Sequence, residues 1–96
     1  MRNYTYSSAA YQDLEEIFDY IAKDNLMAAH RVWAEIEAAL AMPSERPLLG
    51  YRRPDWTDEP VRFWAVRSYV IVYRPDSQPL QVVRIIHGAR DVPRLI

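Results

Sequence analysis

The sequence predicts one α+β domain over residues 1–96: a short N-terminal strand, a helical hairpin, and a three-stranded antiparallel meander forming one small sheet. Two observations support this prediction. Apolar residues recur every three or four positions before residue 43, as in helices, whereas residues 61–86 hold short runs of β-branched and aromatic residues. A chain of 96 residues buries about 60–65% of its unfolded surface, enough for one modest core.

A short first strand is predicted at residues 3–6, followed by two helices. The first is capped by Ser7 or Ser8 and ends near residues 24–25. Its buried positions share three- and four-residue spacing: Ala10, Leu14, Ile17, Phe18 and Ile21. The second helix starts after Asn25 and stops at or before Met42, because Pro43 cannot continue it. Its buried positions are Val32, Trp33, Ile36 and Leu40.

Residues 43–60 carry four prolines and no sustained period, so we expect an ordered loop laid over the domain. The strands follow, and a two-residue turn at Arg67 and Ser68 divides their side chains between two faces. One face holds Arg62, Trp64, Val66, Tyr69, Ile71 and Tyr73. The other holds Val61, Phe63, Ala65, Val70, Val72 and Arg74.

Both faces of this sheet are apolar, and one helical hairpin covers only one of them. The second face therefore needs the Pro-rich loop, a second copy or another chain, since a few hundred Å² of exposed apolar surface costs several kcal/mol. We expect a partner chain there, with closure by residues 43–60 as the alternative.

Composition limits the class of protein. Half of the residues are hydrophobic and 26% are charged, which is globular composition. No run of about 18 apolar residues occurs and the N-terminus lacks a secretory segment, so we expect a cytoplasmic protein without a membrane span. The absence of cysteine excludes disulfides, thiolate metal sites and cysteine nucleophiles.

The net charge of −1 hides an asymmetry between the halves of the chain. Residues 1–45 carry a net charge of −5 and residues 46–96 a net charge of +4, and eleven of the twelve cations are arginines. Part of this is internal charge complementarity. The remainder favours a basic strand-bearing surface that meets an acidic partner or phosphates, contacts that suit the bidentate guanidinium group.

Few residues point to catalysis. Glu15 and Asp19 are expected on a solvated helix face, and His30 on a surface or at an interface. No metal-ligand spacing stands out beyond a weak pair of His87 and Asp91, so we expect no metal and no cofactor, and we assign no catalytic residue.

His87 is the most informative single side chain, because it closes the last strand and precedes Gly88, which lets the backbone turn sharply. One interpretation is a strand-end histidine that hydrogen-bonds the turn. The other is an acid–base or phosphate-contacting group. Arg90 and Asp91 beside it are expected to form a local ion pair that holds the C-terminal segment.

The C-terminal third carries the most specific pattern, apolar runs at 61–75 and 80–86 followed by HGARDVP at 87–93. It resembles the ParE toxins of bacterial toxin–antitoxin pairs, in the RelE/ParE superfamily, whose strands end in His-Gly-Ala-Arg-Asp, an apolar residue and Pro. The resemblance implies a RelE/ParE-like fold and a ParD-like antitoxin that wraps the toxin in a hetero-oligomer. It also implies toxicity through inhibition of DNA gyrase, without catalysis by the toxin or sequence-specific nucleic-acid binding.

This sequence resembles the ribonuclease branch of the superfamily less closely. RelE-like members carry Arg directly after the Tyr that opens the third strand, and a Tyr or His near the C-terminus. Here Val70 follows Tyr69, and residues 92–96 hold neither Tyr nor His. RNA cleavage needs a base and cations that stabilise the phosphorane charge, so this branch fits less well.

The sequence is compatible with three hypotheses. The first is a toxin that binds a type II topoisomerase, the second a ribosome-dependent endoribonuclease, and the third a toxin-derived module that only associates with its antitoxin. Candidate contacts to antitoxin or target are Trp56, Arg62, Trp64, Arg84, His87, Arg90 and Asp91. The endoribonuclease would use Arg62, Arg84, His87 and Arg90.

Overall fold

The computed structural model describes residues 3–88 and 91–96. The predicted helices are confirmed as α1 (Ser8–Ala22) and α2 (Leu26–Ala39). Ser7 Oγ accepts from the Ala10 N–H at 3.0 Å, and Asn25 Oδ1 accepts from the Ala28 N–H at 3.0 Å. Each cap satisfies a backbone donor that lacks an intrahelical partner, which explains where both helices begin.

The segment after α2 is more regular than the sequence predicted. A short helix α3 (Ala41–Glu45) and a 3₁₀ turn (Pro47–Leu49) occupy the start of the expected loop. Pro43 lies in the first turn of α3, where its missing N–H has no intrahelical acceptor in any case. Proline thus ends the long helix but does not prevent a new one.

The sheet has four strands in the order β1-β4-β3-β2. They are β1 (Tyr4–Tyr6), β2 (Arg62–Val66), β3 (Tyr69–Arg74) and β4 (Leu80–His87). The meander β2–β3–β4 is antiparallel as predicted, and β1 joins β4 in parallel. A last short helix, α4 (Val92–Leu95), follows.

The predicted turn and strand parity are confirmed. Trp64 pairs with Ile71 and Val66 with Tyr69, so the two faces separate as the alternation indicated. The helices cover the face that holds Ile71, and the core between them consists of Ala10, Leu14, Ile36, Leu40, Ile71, Val82 and Ile85.

The expectation that a partner chain covers the second face is wrong. That face forms a second cluster within the chain: Val61, Phe63, Val70, Val72, Ile86 and Val92, with Trp56 packed against it. Phe63 is fully buried and Val72 is 1% exposed. The Trp56 ring meets Phe63 edge-to-face at 5.1 Å, and Tyr51 forms an antiparallel bridge to Phe63. The alternative interpretation, closure by the loop, is therefore correct, with help from Val92 of α4.

Candidate functional site

A groove with a volume of about 840 Å³ lies between α1 and the end of β4. We call it the α1–β4 groove. Its walls are Asp13, Glu16, Ile17, Tyr20 and Ile21 on α1, Tyr69 and residues 84–87 on the sheet, and Asp91 and Leu95 beyond it. Apolar side chains bordered by a few charged groups are typical of a recognition surface.

The groove exists because β1 is short. It pairs with Leu80 to Val82, and among the described residues no strand lies beside the edge of β4 beyond Val82. Side chains of the α1 region occupy that edge instead. Ser7 Oγ donates to the Val83 carbonyl at 2.9 Å, and Asp13 Oδ2 accepts from the Ile85 N–H at 2.9 Å. Both contacts satisfy backbone groups that a sheet edge otherwise leaves open to another chain.

Arg84 links three segments at this edge. Its guanidinium group is bidentate to the Asp13 carboxylate, at 2.7 and 3.0 Å, and donates to the Leu95 carbonyl at 2.8 Å. The hydrogen bonds to Asp13 raise the pKa of Arg84, so the guanidinium group keeps its charge. The guanidinium is thus held in contacts that join α1, β4 and α4.

His87 lies at the mouth of the groove. Its side chain is exposed, and its ring packs on Tyr69 with centroids 5.0 Å apart and planes tilted by 37°. Burial raises the pKa of Tyr69, so its hydroxyl stays protonated and has the character of a donor. Gly88 follows with φ of 86°, a left-handed conformation that L-residues rarely adopt.

The structure brings together three of the predicted contact residues: Arg84, His87 and Asp91 all line the α1–β4 groove. Asp91 contacts Arg94 at 3.5 Å. The predicted ion pair of Asp91 with Arg90 lies outside the described residues, as does Arg90 itself. Exposure of His30, Glu15 and Asp19 is confirmed.

The other predicted contact residues lie elsewhere. Arg62 donates to the carbonyls of Gly50, at 2.8 Å, and Leu48, at 3.4 Å, and so holds the loop. Trp64 packs against the core beneath the helices. Trp56 packs on the second face, with the Arg53 guanidinium 3.8 Å from its ring centroid.

Asp13 is the groove residue whose role sequence reasoning missed. A signal was available, because Asp13 lies three residues after Ala10 and four before Ile17, next to the buried side of α1. A carboxylate at such a boundary needs a polar partner. The sequence does not show that this partner is Arg84, which lies 71 residues further along the chain on β4.

Two further observations concern the described residues. No group of three or more His, Cys, Asp or Glu side chains in residues 3–88 and 91–96 is arranged to hold a metal ion. Within the same residues, no helix has the length and apolar character needed to cross a membrane.

The helical hairpin on a four-stranded sheet, with a groove at the edge of β4, defines a small α+β domain. Residues 4–92 match the family model described as ParE toxin of type II toxin-antitoxin system, parDE. The chain therefore belongs to the ParE toxin family.

Comparison with solved structures supports the same fold. A chain of the structure titled "Chromosomal ParDE TA system from P. aeruginosa" superimposes with a TM-score of 0.67 at 21% sequence identity. The similarity covers 88% of this chain and 94% of that chain. Among curated proteins, none matches.

Proposed function

We propose that this toxin acts in the cytoplasm by binding DNA gyrase without catalysing a reaction, and that a ParD-like antitoxin neutralises it in a hetero-oligomer. The membership of the ParE family over residues 4–92 supports a toxin. The α1–β4 groove is the proposed contact surface for the target, since it is large, partly apolar and open.

The observation that most favours binding over catalysis is the state of Arg84. RNA cleavage needs a cation free to meet the developing phosphorane charge and a base free to take the 2′-hydroxyl proton. The guanidinium group of Arg84 instead donates its hydrogen bonds to the Asp13 carboxylate and the Leu95 carbonyl. Val70, at the position where the ribonuclease branch keeps Arg, is 4% exposed within the second cluster.

One observation favours a second candidate, a ribosome-dependent endoribonuclease. His87 and Tyr69 stack at 5.0 Å in the groove, and both residue types serve as acids or bases in catalysis. The raised pKa of Tyr69 keeps its hydroxyl protonated, so Tyr69 cannot serve as the base. His87 would then be the base.

One set of assays separates the two functions. The purified chain is added to a gyrase supercoiling reaction, and protein-linked DNA breaks are counted in parallel with mRNA cleavage on translating ribosomes. We expect loss of supercoiling, more protein-linked breaks and intact mRNA. Cleaved mRNA together with unaffected gyrase would overturn the proposal and favour the endoribonuclease.

The variant His87→Ala tests the residue that the enzyme needs most. If His87 only contacts the target, we expect a loss of potency below about tenfold, whereas loss of a general base costs about 10²- to 10⁴-fold. Glu45→Ala, at the exposed end of α3 and outside the groove, is the matched control. Its potency is expected to equal that of the wild type.

A further inference from the structure

A small pocket lies where the loop after α3 meets the start of β2 and the end of β3. We call it the arginine pocket, and its volume is about 190 Å³. Its wall includes Leu48, Arg52, Pro60, Arg62, Pro75 and Asp76. At about 30 Å³ for each water-sized group, it has room for about six such groups, enough for one phosphate group and its ester carbons. The proposed function gives this pocket no role.

Arg62 contributes a guanidinium group that the fold already holds in place. Its Nη1 atom donates to the Gly50 carbonyl at 2.8 Å and to the Leu48 carbonyl at 3.4 Å. Within the described residues, its Nε and Nη2 atoms make no hydrogen bond. Nε and Nη2 form the edge of the group that can donate to two oxygens of one oxyanion at the same time. The fold thus orients this cation and leaves the donors of that edge available to a ligand.

Arg52 adds a second guanidinium group to the same wall. The backbone beside it is anchored, because Tyr51 and Phe63 exchange hydrogen bonds of 2.9 and 2.8 Å. Within the described residues, neither Arg52 nor Arg62 forms an ion pair with a carboxylate. Four other arginines do have an acidic partner: Arg53, Arg67, Arg84 and Arg94. Two unpaired cations in one concave site create a positive potential that favours an anion.

Asp76 determines which anion suits the pocket. Its exposed carboxylate lines the same wall, so two positive charges and one negative charge leave a net charge of +1. Adjacent residues in the chain keep this balance, because Arg74 offsets Glu59 and Arg53 is paired with Asp55. The cost of taking an ion out of water rises with the square of its charge, whereas its attraction to the pocket rises only in proportion. The pocket therefore suits a phosphodiester, with one negative charge, better than a phosphomonoester, with a charge of about −1.5 to −2.

Resting on the proposed function for the choice of DNA, we propose that the arginine pocket binds one phosphodiester group of a DNA backbone, whatever the base sequence. Arg62 donates to the two non-ester oxygens and Arg52 supplies the second cation, while Leu48 and Pro75 contact the sugar carbons on either side. Tyr69, at the start of β3, lines the α1–β4 groove, whereas Pro75 follows the end of β3. About 20 Å of strand therefore separates the two surfaces. The toxin contacts gyrase through the groove and the DNA that gyrase holds through the pocket.

The chemistry is tested first with small probes on the full chain. Dimethyl phosphate, a phosphodiester with one negative charge, is titrated while the Arg62 Nε–H and the Gly50 amide are followed by NMR. Methyl phosphate and acetate are the comparison probes. We expect saturable shifts with dimethyl phosphate and weaker binding of both other anions. Equal or tighter binding of either comparison probe would contradict a phosphodiester site.

Substitutions locate the effect, and Arg52 is chosen because Arg62 also holds the loop. Arg52→Gln is expected to lower the affinity for dimethyl phosphate about five- to tenfold. Arg46→Gln removes the same charge at an exposed position of the same loop, outside the pocket, and is expected to leave the affinity unchanged. Asp76→Asn should raise the affinity for methyl phosphate more than that for dimethyl phosphate, because the removed charge repels the dianion more strongly. Equal losses with both arginine variants, or an unchanged ratio of affinities in Asp76→Asn, would contradict the pocket.

The source of the phosphodiester is tested with a short DNA duplex in the absence of gyrase. We expect the duplex to shift the same Arg62 and Gly50 signals, to displace dimethyl phosphate, and to bind Arg52→Gln more weakly than Arg46→Gln. Phosphatidylglycerol vesicles present the same charged group on a lipid and should leave these signals unchanged. Signals that respond to vesicles and not to the duplex, or to neither, would overturn the inference, whether or not the toxin inhibits gyrase. A chain that binds the duplex through this pocket but leaves gyrase active would support the site and contradict the proposed function.

Discussion

Tyr73 is the residue that fixes the long loop to the sheet. It is fully buried, its hydroxyl donates to the Pro47 carbonyl at 2.6 Å, and it accepts from the Gly50 N–H at 2.8 Å. The approach is so close that a Cβ at Gly50 would lie 2.3 Å from the Tyr73 hydroxyl. Glycine is required at position 50 for this steric reason.

Replacing Tyr73 with Phe removes the hydroxyl and keeps the ring. The Gly50 N–H and the Pro47 carbonyl then lose a partner, and we expect the free energy of unfolding to fall by about 1–3 kcal/mol in urea denaturation. Tyr20→Phe, at a 78% exposed position, is the control and is expected to be neutral. Equal stability of Tyr73→Phe and wild type would mean that these hydrogen bonds contribute nothing.

Glu35 pairs with Arg67 at the turn between β2 and β3. Arg67 adopts φ of 54°, and its guanidinium donates twice to the Glu35 carboxylate. The hydrogen bond from Arg67 lowers the pKa of Glu35 from its usual 4.5. Stability from this pair is therefore present above pH 4.5 and is lost as the pH falls through the lowered pKa.

Glu35→Gln is expected to be less stable than wild type at neutral pH, and the difference should shrink as the pH falls below 4.5. The effect is small because both side chains are partly exposed. Urea denaturation at a series of pH values measures it, with Glu45→Gln as the control for one lost negative charge. A difference that stays constant across the acid range would contradict the assignment.

At the scale of whole elements, the contact between α1 and β4 organises the molecule. Asp13 closes the open edge of β4 and pairs with Arg84, and both side chains are largely buried, 12% and 28% exposed. Removing one member of such a pair leaves the charge of the other side chain partly buried and without a counter-charge. This junction also shapes one wall of the α1–β4 groove.

Asp13→Ala is expected to lower the free energy of unfolding by about 2–3 kcal/mol, since the Ile85 N–H and Arg84 both lose their acceptor. Asp13→Asn keeps an acceptor for the N–H and should lose less. Glu15→Ala, exposed on the same helix, controls for the helix itself. Hydrogen exchange of the Ile85 amide should quicken in the alanine variant, and an unchanged rate would show that Asp13 does not protect this edge.

At the scale of the whole molecule, closure of the second sheet face decides whether the toxin needs a partner in order to fold. Phe63, Val70, Val72 and Ile86 are buried by residues of the same chain. None of the buried side-chain polar atoms in the described residues lacks a hydrogen-bond partner. The chain therefore covers its own core, and we expect it to fold without a partner.

The isolated chain is expected to unfold cooperatively without antitoxin, with a free energy of unfolding of about 5–14 kcal/mol, as for other domains of this size. Coincident transitions in circular dichroism and tryptophan fluorescence would demonstrate it. Trp56→Ala opens the second face and should increase binding of a hydrophobic dye. An isolated wild-type chain that binds the dye strongly and orders only with antitoxin would contradict this prediction.

The sequence by itself determined the local structure of this protein. Helix periodicity, a cap at Ser7 or Ser8, the turn at Arg67 and Ser68 and strand parity all depend on residues close together in the chain. The structure confirms them, with Ser7 as the cap. The HGARDVP motif at residues 87–93 also predicted the ParE family, which the family comparison confirms. The prediction of a loop from residue 43 missed the short helix and the 3₁₀ turn at residues 41–49. Proline disrupts the interior of a helix but is tolerated in its first turn.

Only the tertiary structure decided which distant residues meet. Asp13 and Arg84 pair across 71 positions, and Tyr73 reaches Gly50 across 23, because packing of α1 and the loop on the sheet brings them together. No local pattern encodes such pairs. For the same reason only the structure shows that Arg62 and Trp56, predicted as contact residues by residue type, also hold the loop on the sheet.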